Sequence, residues 1–365
     1  LIDKEAFNFE NMSKMFKVGF VLAAVFFLSG CSIPSLGIGT STTGNQSFLK
    51  SSNGGSTWEP KMKIDEKKNI SVANILSMQV NPQDPNIIYI GTADNGLFVS
   101  KDGAETWSNI KFPASVYGLA LNPQNPQIIY ASGVLKGRAK IYKQEGEGQE
   151  WKEIYTEPSD GTIISALAID RTNPQILYAG TNAGVIIRSA DGGNQWINLK
   201  VSTTQQKTPV NGIAFDAGNS AHVYFSLFKN GLYETTDGIN VNSVNDKIGN
   251  VKNGGVVYNV FSDPYFGGVV YLGMSNGILR GTNGGNNWES LNLIESSKKF
   301  PVRAIAINPK NSKEIIYAAG NALYKSTDNG AHWTTFQLNA TKGVSVIKYD
   351  PIDPNKIYAG FRKFD

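Results

Sequence analysis

The feature that most constrains this 365-residue chain is a turn phrase spelled seven times. "SSNGGSTW" at Ser51, "SKDGAETW" at Ser100, "SADGGNQW" at Ser189, "GTNGGNNW" at Gly281 and "STDNGAHW" at Ser326 are near copies. "KQEGEGQEW" from Lys143 and "TTDGINVN" from Thr235 are worn ones. The acidic or amide position falls at Asn53, Asp102, Glu145, Asp191, Asp237, Asn283 and Asp328, at successive spacings of 49, 43, 46, 46, 46 and 45 residues. A period of this length marks a repeat array, and it overrides any estimate of domain number from length.

A second phrase runs out of step with the first. "VNPQDPNIIYIGT" begins at Val80, and its counterparts begin at Leu121, Ile169, Phe215, Ser262, Ile307 and Tyr349. Each reads as a strand end, an Asn/Asp-Pro type turn, and a second strand rich in Ile, Val and Tyr. Proline presets such a turn, and Asn or Asp caps it with a side-chain hydrogen bond. Short hairpins such as "DNG" (94–96) and "KNG" (229–231) then lead to a third strand, and the first phrase leads to a fourth. Four short strands per repeat predict a β-propeller blade, with strands A to D from centre to rim. The chain opens with a C–D half, "SFLKSSNGGSTW", and closes with an A–B half, "SVIKYDPIDPNKIYAG". Six whole blades and two halves predict an all-β, seven-bladed ring over 47–365. Its last blade would be stitched from N-terminal C–D strands and C-terminal A–B strands.

Ser-x-Asp-x-Gly-x-Thr-Trp resembles the Asp-box, or bacterial neuraminidase repeat. That repeat is found in sialidases, xyloglucanases, sortilin-type receptors and photosystem II assembly-factor-like proteins, and the likeness covers about residues 47–361. It implies the propeller fold and leaves function open, since those families do different things on one scaffold. The residues of the repeated turn read as structural. Asn53, Asp102, Asp191, Asp237, Asn283 and Asp328 are expected to accept backbone N–H groups, with glycines supplying positive φ. All six tryptophans close a box: Trp58, Trp107, Trp151, Trp196, Trp288 and Trp333. They are expected to act as packing staples, each burying on the order of 200 Å². The fifth box lacks its tryptophan, so its blade is expected to be the loosest.

The only cysteine is Cys31, which excludes a disulfide framework and a thiolate metal cluster. It follows two lysines and an apolar run from Val18 to Leu28, too short for a bilayer-spanning helix and suited to a signal peptide. Leu28-Ser29-Gly30-Cys31 resembles the lipobox of bacterial lipoproteins, which implies a lipidated Cys31. The expected organisation is a signal peptide over 1–30, with 1–11 upstream of the true start at Met12. A lipidated cysteine and flexible tether over 31–46 come next, followed by the ring. The expected location is the cell envelope, outside the cytoplasm, with the membrane reached through the lipid anchor alone.

Strand alternation places the A–B and C–D turns on one face of the ring and the B–C and D–A loops on the other. The second face varies from blade to blade, its longest expected loops being 59–71, 133–140, 152–163 and 242–256. Function is expected there and at the channel mouth. Aligning the A strands puts Leu76, Tyr117, Ser165, Asn211, Tyr258, Arg303 and Ser345 at one position. Tyr117, Asn211, Tyr258 and Arg303 are the candidate binding residues. The alternative is that several of these residues merely contact the neighbouring blade.

No catalytic residue, metal site or cofactor is expected. A sialidase-like site needs an arginine cluster, and six arginines are scattered along the chain. A glycosidase needs two carboxylates roughly 5–10 Å apart across a cleft, and the best stray acids are Glu157 and Asp160. With His222 and His332 alone, neither a catalytic triad nor a zinc site is expected. A net charge of +4 without a basic run interleaved with aromatics speaks against nucleic acid. In size the chain is most similar to photosystem II assembly-factor-like proteins. The expectation is a monomeric binding or scaffold protein whose partner is an envelope protein or a glycan, the alternative being a sialidase-like glycoside hydrolase.

Overall fold

The computed structural model describes residues 45–202, 208–252, 255–294 and 300–364. The expected signal peptide, Cys31 and nearly all of the tether lie outside the described residues. Seven sheets form the ring, and the strands of each follow one another outward from the centre. Blade 1 is typical, with strands Ile75–Val80, Ile88–Thr92, Gly96–Ser100 and Ser108–Ile110. The inner strands of blades 2 to 6 are Gly118–Leu121, Ile164–Ile169, Val210–Phe215, Val257–Ser262 and Ala304–Asn308. Blade 7 is the composite. Its inner strands Gly343–Tyr349 and Ile357–Arg362 continue outward through Phe48–Ser51 and Glu59–Pro60. Phe48 pairs with Gly360 and Ser51 with Ile357, so the two ends of the ring are joined along a whole strand. Each inner strand packs on the next, and Gly343–Tyr349 closes the circle on Ile75–Val80.

The core lies between blades. Seven apolar clusters each combine residues of two neighbours; Ile316 and Leu323 of blade 6, for example, meet Ile347, Ile357 and Phe361 of blade 7. The repeated tyrosines serve these interfaces. Tyr130, Tyr224, Tyr271, Tyr317 and Tyr358 are almost completely buried, whereas Tyr89 is half-buried. Burial pushes the Tyr271 hydroxyl up to about 12.

The Asn/Asp-Pro turns work as their composition predicts. Asn81 Oδ1 accepts from Gln83 N at 2.9 Å and Asp84 N at 3.2 Å. Asp350 Oδ1 accepts from Ile352 N and Asp353 N, both at 2.9 Å. The expected long loop 133–140 is instead a hairpin. Strands Ile128–Leu135 and Arg138–Glu145 run on, and only Lys136 and Gly137 turn, with φ of 53° and 79°. Two residues at positive φ match the strand twist, so the ladder extends where a loop was expected. Residues 152–156 are likewise the outer strand of blade 2. The 242–256 segment holds a helical turn, Asn245–Ile248, whose Ile248 is buried.

Candidate functional site

The repeated turns are seats for the backbone, and serine supplies their buried part. Ser100 Oγ accepts from Ala104 N at 2.8 Å and donates to Asp102 Oδ1 at 2.7 Å. Asp102 in turn accepts from Thr106 N at 2.9 Å. The same geometry recurs at Ser51–Asn53, Ser189–Asp191 and Ser326–Asp328. These serines are buried, and the acid or amide side chains lie nearer the surface. Burial pushes the Asp102 carboxyl up, but hydrogen bonds from Thr106 and Ser100 hold it below the usual range. The backbone N–H of Gln195 and the Ser189 hydroxyl lower Asp191. At Asp328 the His332 backbone and ring bring the carboxyl down to about 2.

Three turns depart from the pattern. Glu145 caps nothing: it pairs with Lys143 at 2.6 Å, while Gln144 Nε2 donates to Gln149 O at 2.6 Å. Around Asn283 the serine is replaced by Gly281, against which the Trp288 ring packs so closely that a Cβ would meet it at 2.8 Å. In the turn of Asp237 one residue is missing. Gly238 N reaches Thr235 Oγ1 three positions back, and the fully buried Val241 takes the tryptophan's seat. That blade also gains an extra outer strand, Lys200–Val201, parallel to Asn240–Ser243. Among the tryptophans only Trp107 is fully buried; Trp58, Trp151, Trp196, Trp288 and Trp333 are half-buried. Trp107 and Trp333 donate across to the preceding blade's outer loop, to Lys61 O and Asn292 O, both at 2.8 Å.

The ring encloses a central cavity of about 540 Å³, lined by the inner strands. Tyr117 and Asn211 line it near the face formed by the B–C and D–A loops. Asn211 also binds the neighbouring blade, its Nδ2 donating to Tyr258 O at 3.2 Å. Ser165 and Ser345 at the same position do likewise, to Val210 O at 2.8 Å and Ile75 O at 2.6 Å. Part of the column therefore ties blade to blade. Tyr258 and Arg303 stand together: the guanidinium carbon lies 4.8 Å from the Tyr258 ring centroid and 4.2 Å from that of Phe364. Phe228 packs on Tyr258 edge to face. A second cavity of about 180 Å³ opens beside Arg303, between Phe300, Pro301, Asn321 and Phe364. Asn211, Tyr258 and Arg303 thus form one constellation, and Tyr117 stands apart on blade 2. The sequence reading missed Phe228 and Phe364. They follow the repeated tyrosines at different distances, four residues after Tyr224 and six after Tyr358, in "VYFSLFKN" and "YAGFRKF", so no single repeat position announced both.

The stray acids do not face one another. Glu157 is buried and accepts from Tyr155 Oη at 2.9 Å, and Asp160 is exposed and paired with Arg138 at 2.8 Å. Arg171 sits on the A–B turn face, its guanidinium reaching Pro264 O and Ala217 O. Arg188 and Arg280 lie on third strands. Among the described residues the central cavity is lined by no Asp or Glu.

No family model and no curated protein matches the chain. Solved structures do resemble it. The GH74 enzyme of Niastella koreensis superimposes with a TM-score of 0.64 at 17% identity, over 79% of this chain and 51% of that one. For the GH74 xyloglucanase of Xanthomonas campestris the values are 0.65, 15%, 80% and 51%. A YCF48 bound to a D1 peptide gives 0.60 at 17% identity, over 80% of this chain and 93% of the other. The chain therefore spans about half the length of these GH74 enzymes and nearly all of that YCF48. At such identities the likeness establishes one thing. The fold is a seven-bladed propeller.

Proposed function

We propose that this chain is a non-catalytic binding protein of the cell envelope. In this reading it is lipid-anchored through Cys31 and engages a protein partner at the mouth formed by the B–C and D–A loops. The observation that carries the reading is the Arg303–Tyr258–Phe364 stack beside an open cavity. Arginine and tyrosine are the side chains most often dominant in interfaces, and here each is held rigid by the other. The YCF48 chain of similar length is bound to a D1 peptide, which supports a protein ligand for a single ring of this size. A glycosidase would need a facing acid pair, and the described channel offers none to hold a sugar's glycosidic bond.

The test is recovery of crosslinked partners from native envelopes by the Tyr258→Ala/Arg303→Ala chain and by the Asp191→Ala chain, each at matched folded concentration. The expected outcome is loss of partner for the mouth pair and retention for the turn variant. The reverse pattern would assign function to the opposite face.

A further inference from the structure

The column two residues before each Asn/Asp-Pro turn forms a layer of the channel wall: Gln79, Ala120, Ala168, Ala214, Phe261, Ala306 and Lys348. Four alanines leave this layer wide, and one blade alone sends a charge to it. Lys348 lies on the inner strand of blade 7 and lines the cavity. More than a third of its surface is open to the lumen, yet the inner strands wall it in, and burial draws its amine below the usual lysine range. It has no hydrogen-bond, ion-pair or ring partner among the described residues, unlike Lys342, Lys140 or Lys325. The other lining cation, Arg171, is committed to Pro264 O and Ala217 O at the far end. An enclosed cation facing a cavity without carboxylates is an uncompensated charge, and a ligand anion is what such a charge lacks.

We propose that the central channel binds a carboxylate, with Lys348 as its counter-ion. A single ammonium suits a monoanion. A phosphate or dianion would call for a guanidinium fork, and Arg171, the lining arginine among the described residues, is committed at the far end. The alanines on four other blades and Phe261 give an apolar wall for the rest of the ligand, and about 540 Å³ holds a small organic acid. Arg171 braces the A–B turn end, so the ligand enters past Leu76, Tyr117, Asn211 and Ser345. The carboxylate comes either from a free organic acid or from the end of a peptide threaded into the mouth. The site is independent of the protein partner proposed above, because Lys348 lies inside the channel and Arg303 outside it.

The test is calorimetric titration of the full chain and of Lys348→Met and Lys348→Arg with hexanoate, hexanamide and inorganic phosphate. A short acetylated peptide is titrated as its free acid and as its amide. Hexanoate is expected to bind wild type saturably. Lys348→Met should weaken it at least tenfold, Lys348→Arg should largely retain it, and hexanamide should not bind. A peptide acid binding tenfold tighter than hexanoate, with its amide silent, assigns the carboxylate to a peptide end; parity assigns it to a free acid. Equal hexanoate binding by wild type and a folded Lys348→Met overturns the proposal. So does phosphate binding tighter than both acids, or no saturable binding of either acid. Unaltered partner recovery by Lys348→Met keeps the two sites distinct.

Discussion

Lys342 gives the sharpest measure of how the ring is held shut. It sits in the loop between blades 6 and 7 and is almost wholly buried. Its Nζ donates to Ser71 O at 3.1 Å, Val72 O at 3.0 Å and Ala73 O at 2.9 Å. Those carbonyls belong to the loop ahead of blade 1, so one ammonium ties segments about 270 residues apart. Lys342→Met keeps the volume and removes the donor. Three carbonyls lose charge-assisted hydrogen bonds worth about 1.5–3 kcal/mol each, offset by the desolvation cost the ammonium no longer carries. The expected net loss is about 3 kcal/mol, which for a ring this long lowers Tm by roughly 4–5 °C. Desolvation, with Lys363 adding repulsion, depresses the amine below its ordinary 10.5. Between that depressed value and 10.5 the unfolded chain therefore binds more protons than the folded one. Wild-type stability should then rise with pH in this window, and the gap to Lys342→Met should widen as pH approaches 10.5. Thermal melts across pH, with amide exchange of residues 70–74, read both effects. A variant melting within a degree of wild type, with unchanged exchange in that loop, would show that closure rests on strand pairing alone.

Further outcomes follow from the same structure. Ser100→Ala leaves the buried Ala104 N–H without its acceptor and should cost about 1–3 kcal/mol by denaturant unfolding; a smaller loss than for the surface serine Ser108→Ala would refute the seat. Asp328 is lowered to about 2, so the stability it adds over Asp328→Asn should be complete above pH 3.8 and fade as pH falls toward 2. Acid titration of both chains checks the window, and a difference that persists below pH 2 contradicts it. Cys31→Ser should move the protein from membrane to soluble envelope fractions without changing its melt, with lipid on the wild type seen by mass spectrometry. Deleting 345–365 removes the inner half of blade 7 and bares the edge of Phe48–Ser51, so light scattering should report aggregation.

What could be read from the sequence was whatever the seven repeats share. The blade count, the four-strand order and the stitched last blade all follow from two phrases out of step, because each copy must satisfy the same backbone at the same place. The role of the turns was legible for the same reason, but its division was not. Serine, rather than aspartate, carries the buried hydrogen bonds, and a repeated Ser-x-Asp cannot say which partner faces inward. The worn copies depart in different ways. Glu145 matched by charge and does not cap. Near Asp237, where the tryptophan is missing, a one-residue deletion seats Val241 and an added strand covers the edge.

Sites differ from scaffold because they live on departures from the repeat. Aligning the inner strands on one column singled out Tyr258 and Arg303 as candidates, and the two side chains meet because they stand on consecutive blades. The same column includes Asn211, Ser165 and Ser345, whose side chains fasten neighbouring strands, so a shared position does not imply a shared task. Lys348 was equally visible three residues further on, as the one charge in a layer of alanines, glutamine and phenylalanine. It went unread because its meaning depends on absence: only the closed ring shows that, among the described residues, no carboxylate lines the cavity it faces. Lys342 is harder still, since its three acceptors lie at the other end of the chain and no local pattern announces them. Where a residue's partners come from its own repeat, sequence suffices. Where closure brings them together, the ring itself has to be seen.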